Sequence, residues 1–234
     1  MARARRKRTW KRRLIHLALW IAIAAAAAFA LVRFAQAWTP SRDHYPVQGL
    51  SVSSTNGSIA WKTVKAHGAD FAYLRASSGA TRRDPAFAAN LEGAHAAGLR
   101  YGPAHEFSLC SLASDQATLF ISTVPRESAM LPAVVRLHFT PRCPRRPTRA
   151  AVLSELNTFL NLIEAHMGKP ALIRVSPDFE QIYNISGGIN RTLWLEGNVF
   201  SPNYAGRPWV MWTASDFHRI DGIGQAVEWD VVRP

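Results

Sequence analysis

Arg136 and His138 stand two residues apart at the end of the apolar run "LPAVVRLHF", residues 131–139. Residues two apart in a strand point to the same face, so a guanidinium and an imidazole leave this segment side by side. The imidazole, protonated, could donate a proton near neutral pH. The plainer reading is a strand end whose polar side chains meet solvent. The other reactive groups are Cys110 and Cys143, the two cysteines of the chain. Two cysteines without histidines at ligand spacing do not make a metal site, and no cofactor is expected. In an oxidising compartment the pair is expected to form a disulfide.

Strand-like and helix-like stretches alternate around these residues. "GLSVS" (49–53) alternates in period two, and "IAWKTVKAHG" reads as a short helix ended by Gly68. "FAYLR" (71–75) is a second strand. Asp84-Pro85 supplies an N-cap and a first-turn proline to a helix with Phe87, Leu91 and Ala94 on one face, stopped by Gly98. "LRYGPAHEF" is a strand and "ASDQATLFISTV" a helix, and the segment holding Arg136 is the next strand. Thr148 caps the clearest helix, with Val152, Leu156, Phe159, Leu160, Ile163 and Met167 on one side and Gly168 after it. "ALIRV", "LWLE", "WVMWT" and "AVEWDVV" are later strands with shorter connections.

This alternation predicts an α/β chain with a parallel sheet. About 185 residues suit a trimmed TIM-like (β/α) barrel, whose chemistry sits at the C-terminal strand ends. Arg136 and His138 fall there. Cys110 lies five residues past His105, and Cys143 five past His138. If the two histidines end consecutive parallel strands, the cysteines reach equal height in adjacent loops and can bridge.

The ends of the chain differ from its body. Of the 28 basic residues, eight lie in "MARARRKRTWKRR", residues 1–13, with no acid among them. From Trp38 onward 19 basic residues face 16 acidic ones, so the net +12 belongs mostly to the tail. Nucleic-acid binding would need a basic patch on the folded part, and no nucleic-acid partner is expected. Residues 14–32, "LIHLALWIAIAAAAAFALV", would form a helix ~28 Å long, enough to span a ~30 Å hydrocarbon core. Positive charge stays cytoplasmic. The expected order is a cytoplasmic tail (1–13), a transmembrane signal anchor (14–32), a linker (33–48) and an exported domain (49–234). That describes a single-pass inner-membrane protein whose domain is periplasmic or extracellular. Ala35-Gln36-Ala37 offers a cleavage site, which leaves a released domain as the other reading.

The fragments of the exported domain resemble, in order, the glycoside hydrolase family 25 lysozymes, the muramidases that cut peptidoglycan. "GLSVSSTNGSIAWKTVKAHGADFAYLRASSG" is similar to the opening G-I-D-V-S-x-x-Q-G, I-D-W and F-A-x-I-K-A-T-E-G. "DPAFAANLEGAHAAGLRYGPAHEF" resembles D-x-x-F-x-x-N-x-x-x-A-x-x-A-G-L-x-x-G-A-Y-H-F, and "LPAVVRLHF" the strand that ends D-x-E-F. "WVMWTAS…IDGIGQAVEWDVV" resembles W-x-x-W-Q-Y…G-I-x-G-x-V-D-x-N-x-F. Scaffold positions match at Trp61, Asp84, Phe87, Asn90, Gly98, Gly102, Trp209, Trp212 and Gly222.

The departures cluster where the resemblance places the site. Arg136 and His138 stand for the Asp and the general-acid Glu of D-x-E. Ser51 replaces the first-strand Asp, Ser78 the Glu of T-E-G, and Ala104 the Tyr before His105. Only the last-strand Asp keeps a carboxylate, as Glu228. Glycoside cleavage needs an acid to protonate the leaving oxygen and a second carboxylate. A fixed cation ~5 Å from an oxocarbenium-like transition state costs ~3 kcal/mol at an effective dielectric of ~20, more than a hundredfold in rate. The resemblance therefore implies a peptidoglycan-binding pseudoenzyme, with a glycan strand or an envelope protein as partner. Glu106, Glu228, Arg136, His105 and His138 are expected to rebuild the mouth as an ion-paired cluster. Two further outcomes stay open. One is an active muramidase using Glu228 or Glu106, and the other is glycan binding on Trp194, Trp209, Trp212 and Trp229.

Overall fold

The computed structural model describes residues 2–234, with side chains at Trp10 and from Arg13 onward. The chain divides into a first unit ending at Trp38 and a second, Thr39–Pro234. Helix α1, Ala2–Ala37, is the first unit, and its stretch Arg13–Ala37 is long and apolar enough to cross a membrane. Residues 33–37, expected in the linker, continue this helix, since Arg, Ala and Gln are good helix formers and no Gly or Pro interrupts them. Ala35-Gln36-Ala37 forms its last turn.

The second unit is a closed eight-stranded barrel. Its strands run around the wall as β1 (Gln48–Val52), β2 (Phe71–Ser78), β4 (Arg100–Glu106), β5 (Val134–Leu137), β6 (Leu172–Val175), β7 (Thr192–Glu196), β8 (Met211–His218) and β9 (Val227–Val232). β9 pairs antiparallel with both β8 and β1, and β1 pairs parallel with β2, which closes the ring. A two-residue strand β3, Arg82–Arg83, folds back onto the end of β2. Helices α2 (Trp61–Ala66), α3 (Phe87–Ala96), α4 (Ala113–Thr123), α5 (Arg149–Met167) and α6 (Pro177–Tyr183) connect the strands from β1 to β7. The antiparallel β8–β9 pair needs no crossover helix, which is how so short a chain completes eight strands.

Local signals behave as their chemistry requires at α5. The Thr148 hydroxyl accepts from Ala151 N–H, and Gly168 ends the helix at φ 66°. Asp84 Oδ1 accepts from Ala86 N–H at 3.0 Å just ahead of α3, a cap-type bond as expected, although regular helix begins only at Phe87. The same carboxylate also takes Arg75 Nε at 2.8 Å and both the backbone N–H and hydroxyl of Ser54. The α6 helix, with Pro177 in its first turn, occupies what the sequence suggests is a plain connection.

Side chains of Phe71, Tyr73, Val134, Leu172, Trp194 and Met211 fill the lower barrel as one buried cluster. The segment before β1 packs under the same end. Arg42 pairs with Asp70 at 2.9 Å and reaches the Gly68 carbonyl, and the Gln48 amide donates to the carbonyls of Pro40 and Tyr45. Residues 39–47, expected as a linker, are thus part of the barrel.

Candidate functional site

Period-two alternation turns every second side chain of each strand into the barrel. Above the apolar plug this places Ser51, Arg75, Glu106, Arg136, Arg174, Glu196, Glu228 and Asp230 around one space. Parallel pairing aligns Glu106, Arg136 and Arg174 in one row, and antiparallel pairing sets Ser51 opposite Glu228. The mouth is a cavity of about 220 Å³ whose lining includes Ser51, Tyr73, Arg75, Ala104, Glu106, Arg136, Arg174, Asp216 and Glu228.

Four of these side chains form a closed ring of ion pairs. Arg136 lies 2.7 Å from Glu196 and 2.9 Å from Glu228, and Arg174 lies 2.8 Å from each of the same carboxylates. The ring is neutral overall. Burial by itself would raise the Glu228 pKa, but Arg174 and then Arg136 outweigh it and hold the carboxyl at about 2. Burial likewise opposes ionisation of Arg174, and Glu228 and Glu196 overcome it, raising its pKa.

Beneath the ring lies a carboxyl that sequence reading passed over. Asp230 is fully buried and accepts from the Ser51 hydroxyl at 2.7 Å and from Thr213 at 2.8 Å, while Trp194 Nε1 donates to Thr213 at 2.9 Å. Burial pushes the Asp230 pKa up to about 7, with Arg174 opposing and Glu228 reinforcing. Ser51 is therefore the partner of a carboxyl on the neighbouring strand.

On the far side, Arg75 holds Asp84 at 2.8 Å and Glu106 at 3.3 Å. Burial tends to raise the Glu106 pKa, and Arg75 followed by His138 brings it below the ordinary value. Ala104 lines the cavity beside Glu106, and the Ser78 hydroxyl receives Arg82 at 2.8 Å. His138 shares the Arg136 face, as alternation expects. Burial first and Arg136 second lower its pKa, which favours a neutral ring.

Two of the expected groove residues face elsewhere. His105 points out of the barrel, fully buried, its ring 4.6 Å from that of Phe159, with Ser77 and Gln116 on its nitrogens. It sits between the inward positions Ala104 and Glu106, so strand parity turns it toward α4 and α5. Trp212 alternates with the inward Met211 and Thr213 and packs outside against Tyr45 and Trp209. None of Trp194, Trp209, Trp212 and Trp229 lines the mouth cavity. Trp194 is in the plug, with the Arg174 guanidinium 5.0 Å above its ring.

Cys110 and Cys143 form a disulfide, with Cα atoms 5.7 Å apart. The register behind that expectation is corrected: His105 faces Val135, not His138. The loops converge above the strands and close the bridge despite the offset.

Sequence reading missed Arg174, Glu196 and Asp230. A signal for the first existed: "VVRL" and "LIRV" each place an arginine third in a four-residue strand, and the two arginines pair in register. Asp230 had one too, since it follows Glu228 by two residues in one strand and alternation puts both carboxyls on the same face.

The profile of Glycosyl hydrolases family 25 matches residues 50–223. The uncharacterized protein YegX of Escherichia coli (strain K12) is 29% identical over 194 residues, covering 80% of this chain and 70% of that protein. Lysozyme M1 of Streptomyces globisporus is 37% identical over 100 residues, 41% of this chain and 34% of that one. A family 25 glycosyl hydrolase from Bacillus anthracis superposes with a TM-score of 0.74 at 24% identity, over 83% of this chain and 94% of the other. A bacterial lysozyme from Streptomyces coelicolor gives 0.72 at 25% identity, over 79% and 90%. The barrel, its ordered fragments and the matched span agree: the chain belongs to glycosyl hydrolase family 25.

Proposed function

We propose that this chain is a membrane-anchored, cell-envelope member of family 25 that has lost glycoside cleavage and binds the peptidoglycan glycan strand. The observation that carries this reading is the Arg136–Glu196–Arg174–Glu228 ring in the mouth. A cleaving site of this family needs a proton donor and a carboxylate facing an oxocarbenium-like transition state. Here two guanidiniums occupy that space, and the carboxylates are committed to them.

Relocation of the chemistry to Glu228 or Glu106 is disfavoured by proton supply. A general acid must hold its proton at the working pH, and Arg174 and Arg136 hold the Glu228 carboxyl ionised, its pKa lowered to about 2. Glu106 is shifted in the same direction. Asp230 keeps its proton near neutrality but is buried beneath Ser51 and Thr213 and is absent from the cavity lining. An envelope protein seated on the same mouth is the competing partner.

For topology, the basic tail belongs in the cytoplasm, α1 in the inner membrane and the barrel on the outer side, where its disulfide persists.

The deciding experiment measures reducing ends released from purified peptidoglycan, beside retention of the protein on the insoluble wall. Retention without release is expected. Release at rates typical of lysozymes, abolished by Glu228→Gln or Glu106→Gln, would overturn the inactive reading. Reversion offers a converse test. Ser51→Asp, Arg136→Asp and His138→Glu should regain cleavage only together with Asp230→Asn, because Ser51→Asp otherwise sets two carboxyls against each other.

A further inference from the structure

Beside the mouth lies a recess of about 530 Å³, lined on one side by Arg75 and Glu106, which it shares with the mouth, and on the other by Arg82, Arg83 and Arg142. Its charges are unevenly paired. Four guanidiniums face the carboxylates of Asp84 and Glu106, and both carboxylates are held by Arg75. Among the described residues, no carboxylate lies within ion-pair distance of Arg82, Arg83 or Arg142. An excess of two positive charges is left at the recess.

Two of these cations are positioned by the fold. Arg82 and Arg83 form β3, pinned by pairing with Ser78 and Ser77. Arg82 donates to the Ser78 hydroxyl and Arg83 to that of Ser122, each at 2.8 Å. Hydroxyl partners orient a guanidinium without neutralising it. Arg142 directly precedes Cys143, whose bridge to Cys110 ties that loop to the one after β4. Guanidiniums without a carboxylate partner suit carboxylate ligands, which they grip through paired N–H groups.

We propose that this recess receives the carboxylates of the peptide stem that a peptidoglycan strand carries, while the sugar chain lies in the mouth. The inference rests on the peptidoglycan reading above and narrows it. A strand of N-acetylated sugars is neutral, and its lactyl-linked peptides supply the anionic groups beside it. The recess therefore selects stem-bearing glycan over bare glycan of the same length.

The test is titration calorimetry on full-length protein in detergent with two probes. One is a peptidoglycan tetrasaccharide bearing its peptide stems, and the other is the same sugar with the stems removed by an amidase and the lactyl carboxyls so exposed capped as methyl amides, which keeps it neutral. Binding about tenfold tighter to the stem-bearing probe is expected at low salt, the ratio shrinking as ionic strength rises. Arg82→Gln with Arg142→Gln should bring the ratio close to one. Both positions are exposed, and an unchanged thermal midpoint checks that the variant is folded. Equal wild-type affinity for the two probes, or a preference that survives the double substitution, overturns the stem site and leaves the glycan reading standing. Absence of binding to either probe overturns both.

Discussion

Arg174 is 4% exposed and Arg136 25% exposed, yet each bridges Glu196 and Glu228. Removing one partner of a buried pair leaves an uncompensated charge, at a cost of ~3–5 kcal/mol. Arg174→Met should therefore lose about that much unfolding free energy, while Arg136→Met loses less because water reaches its position. Urea denaturation measures both, and a larger loss at Arg136 would contradict the ring as drawn. Asp230 and His105 give the barrel opposing pH trends. The folded pKa of Asp230, about 7, exceeds its ordinary 3.8, so its contribution is full below about 3.8 and is lost as pH rises through about 7. Burial lowers His105 to about 4 from 6.5, so its contribution is present above 6.5 and is lost as pH falls through about 4. In the parent the two trends offset. Asp230→Asn leaves the His105 trend alone, and its urea midpoint should climb between about pH 4 and 6.5 more steeply than the parent's. Parallel profiles would refute the raised Asp230 pKa.

At the scale of elements, the disulfide joins the loops after β4 and β5 across a sequence separation of 33 residues. Closing such a loop restricts the unfolded chain by ~3–4 kcal/mol on the chain-entropy model. Cys110→Ser with Cys143→Ser should lower unfolding free energy by about that much. Intact-mass measurement after alkylation should find both cysteines protected until reductant is added. Two alkylated cysteines in unreduced, denatured protein would rule the bridge out. The helices with complete end signals, such as Thr148 to Gly168, were legible because capping is decided within one turn. Asp84 shows where that logic is incomplete. Its carboxylate accepts from Ala86 N–H as its local sequence suggests, but it also holds Arg75 and Ser54, charge-assisted partners that only the fold brings up.

At the scale of the whole chain, the second unit begins at Thr39, not at β1. A fragment of residues 39–234 should melt at the temperature of the full-length barrel. One starting at residue 49 loses the Arg42–Asp70 pair and the Gln48 bonds and should melt several degrees lower; equal midpoints would show those contacts to be idle. Full-length protein should stay with membranes through high-salt and carbonate washes, whereas soluble protein beginning at Trp38 would show that Ala35-Gln36-Ala37 is cut. The sequence by itself determined the apolar helix and the barrel class, because hydropathy, period-two alternation and motif order are local properties of the chain. Strand parity was equally local, yet its consequence for His105 and Trp212 depended on which face the closed ring turned inward. Only the tertiary structure decided what surrounds Ser51 and Arg136. Closure of β1 against β2 and β9 sets residue 51 beside 228 and 230, and stacking of β5 to β7 sets two arginines against two glutamates. Those partners lie tens to nearly two hundred residues apart, and no local pattern encodes a contact that exists only once the sheet has met itself.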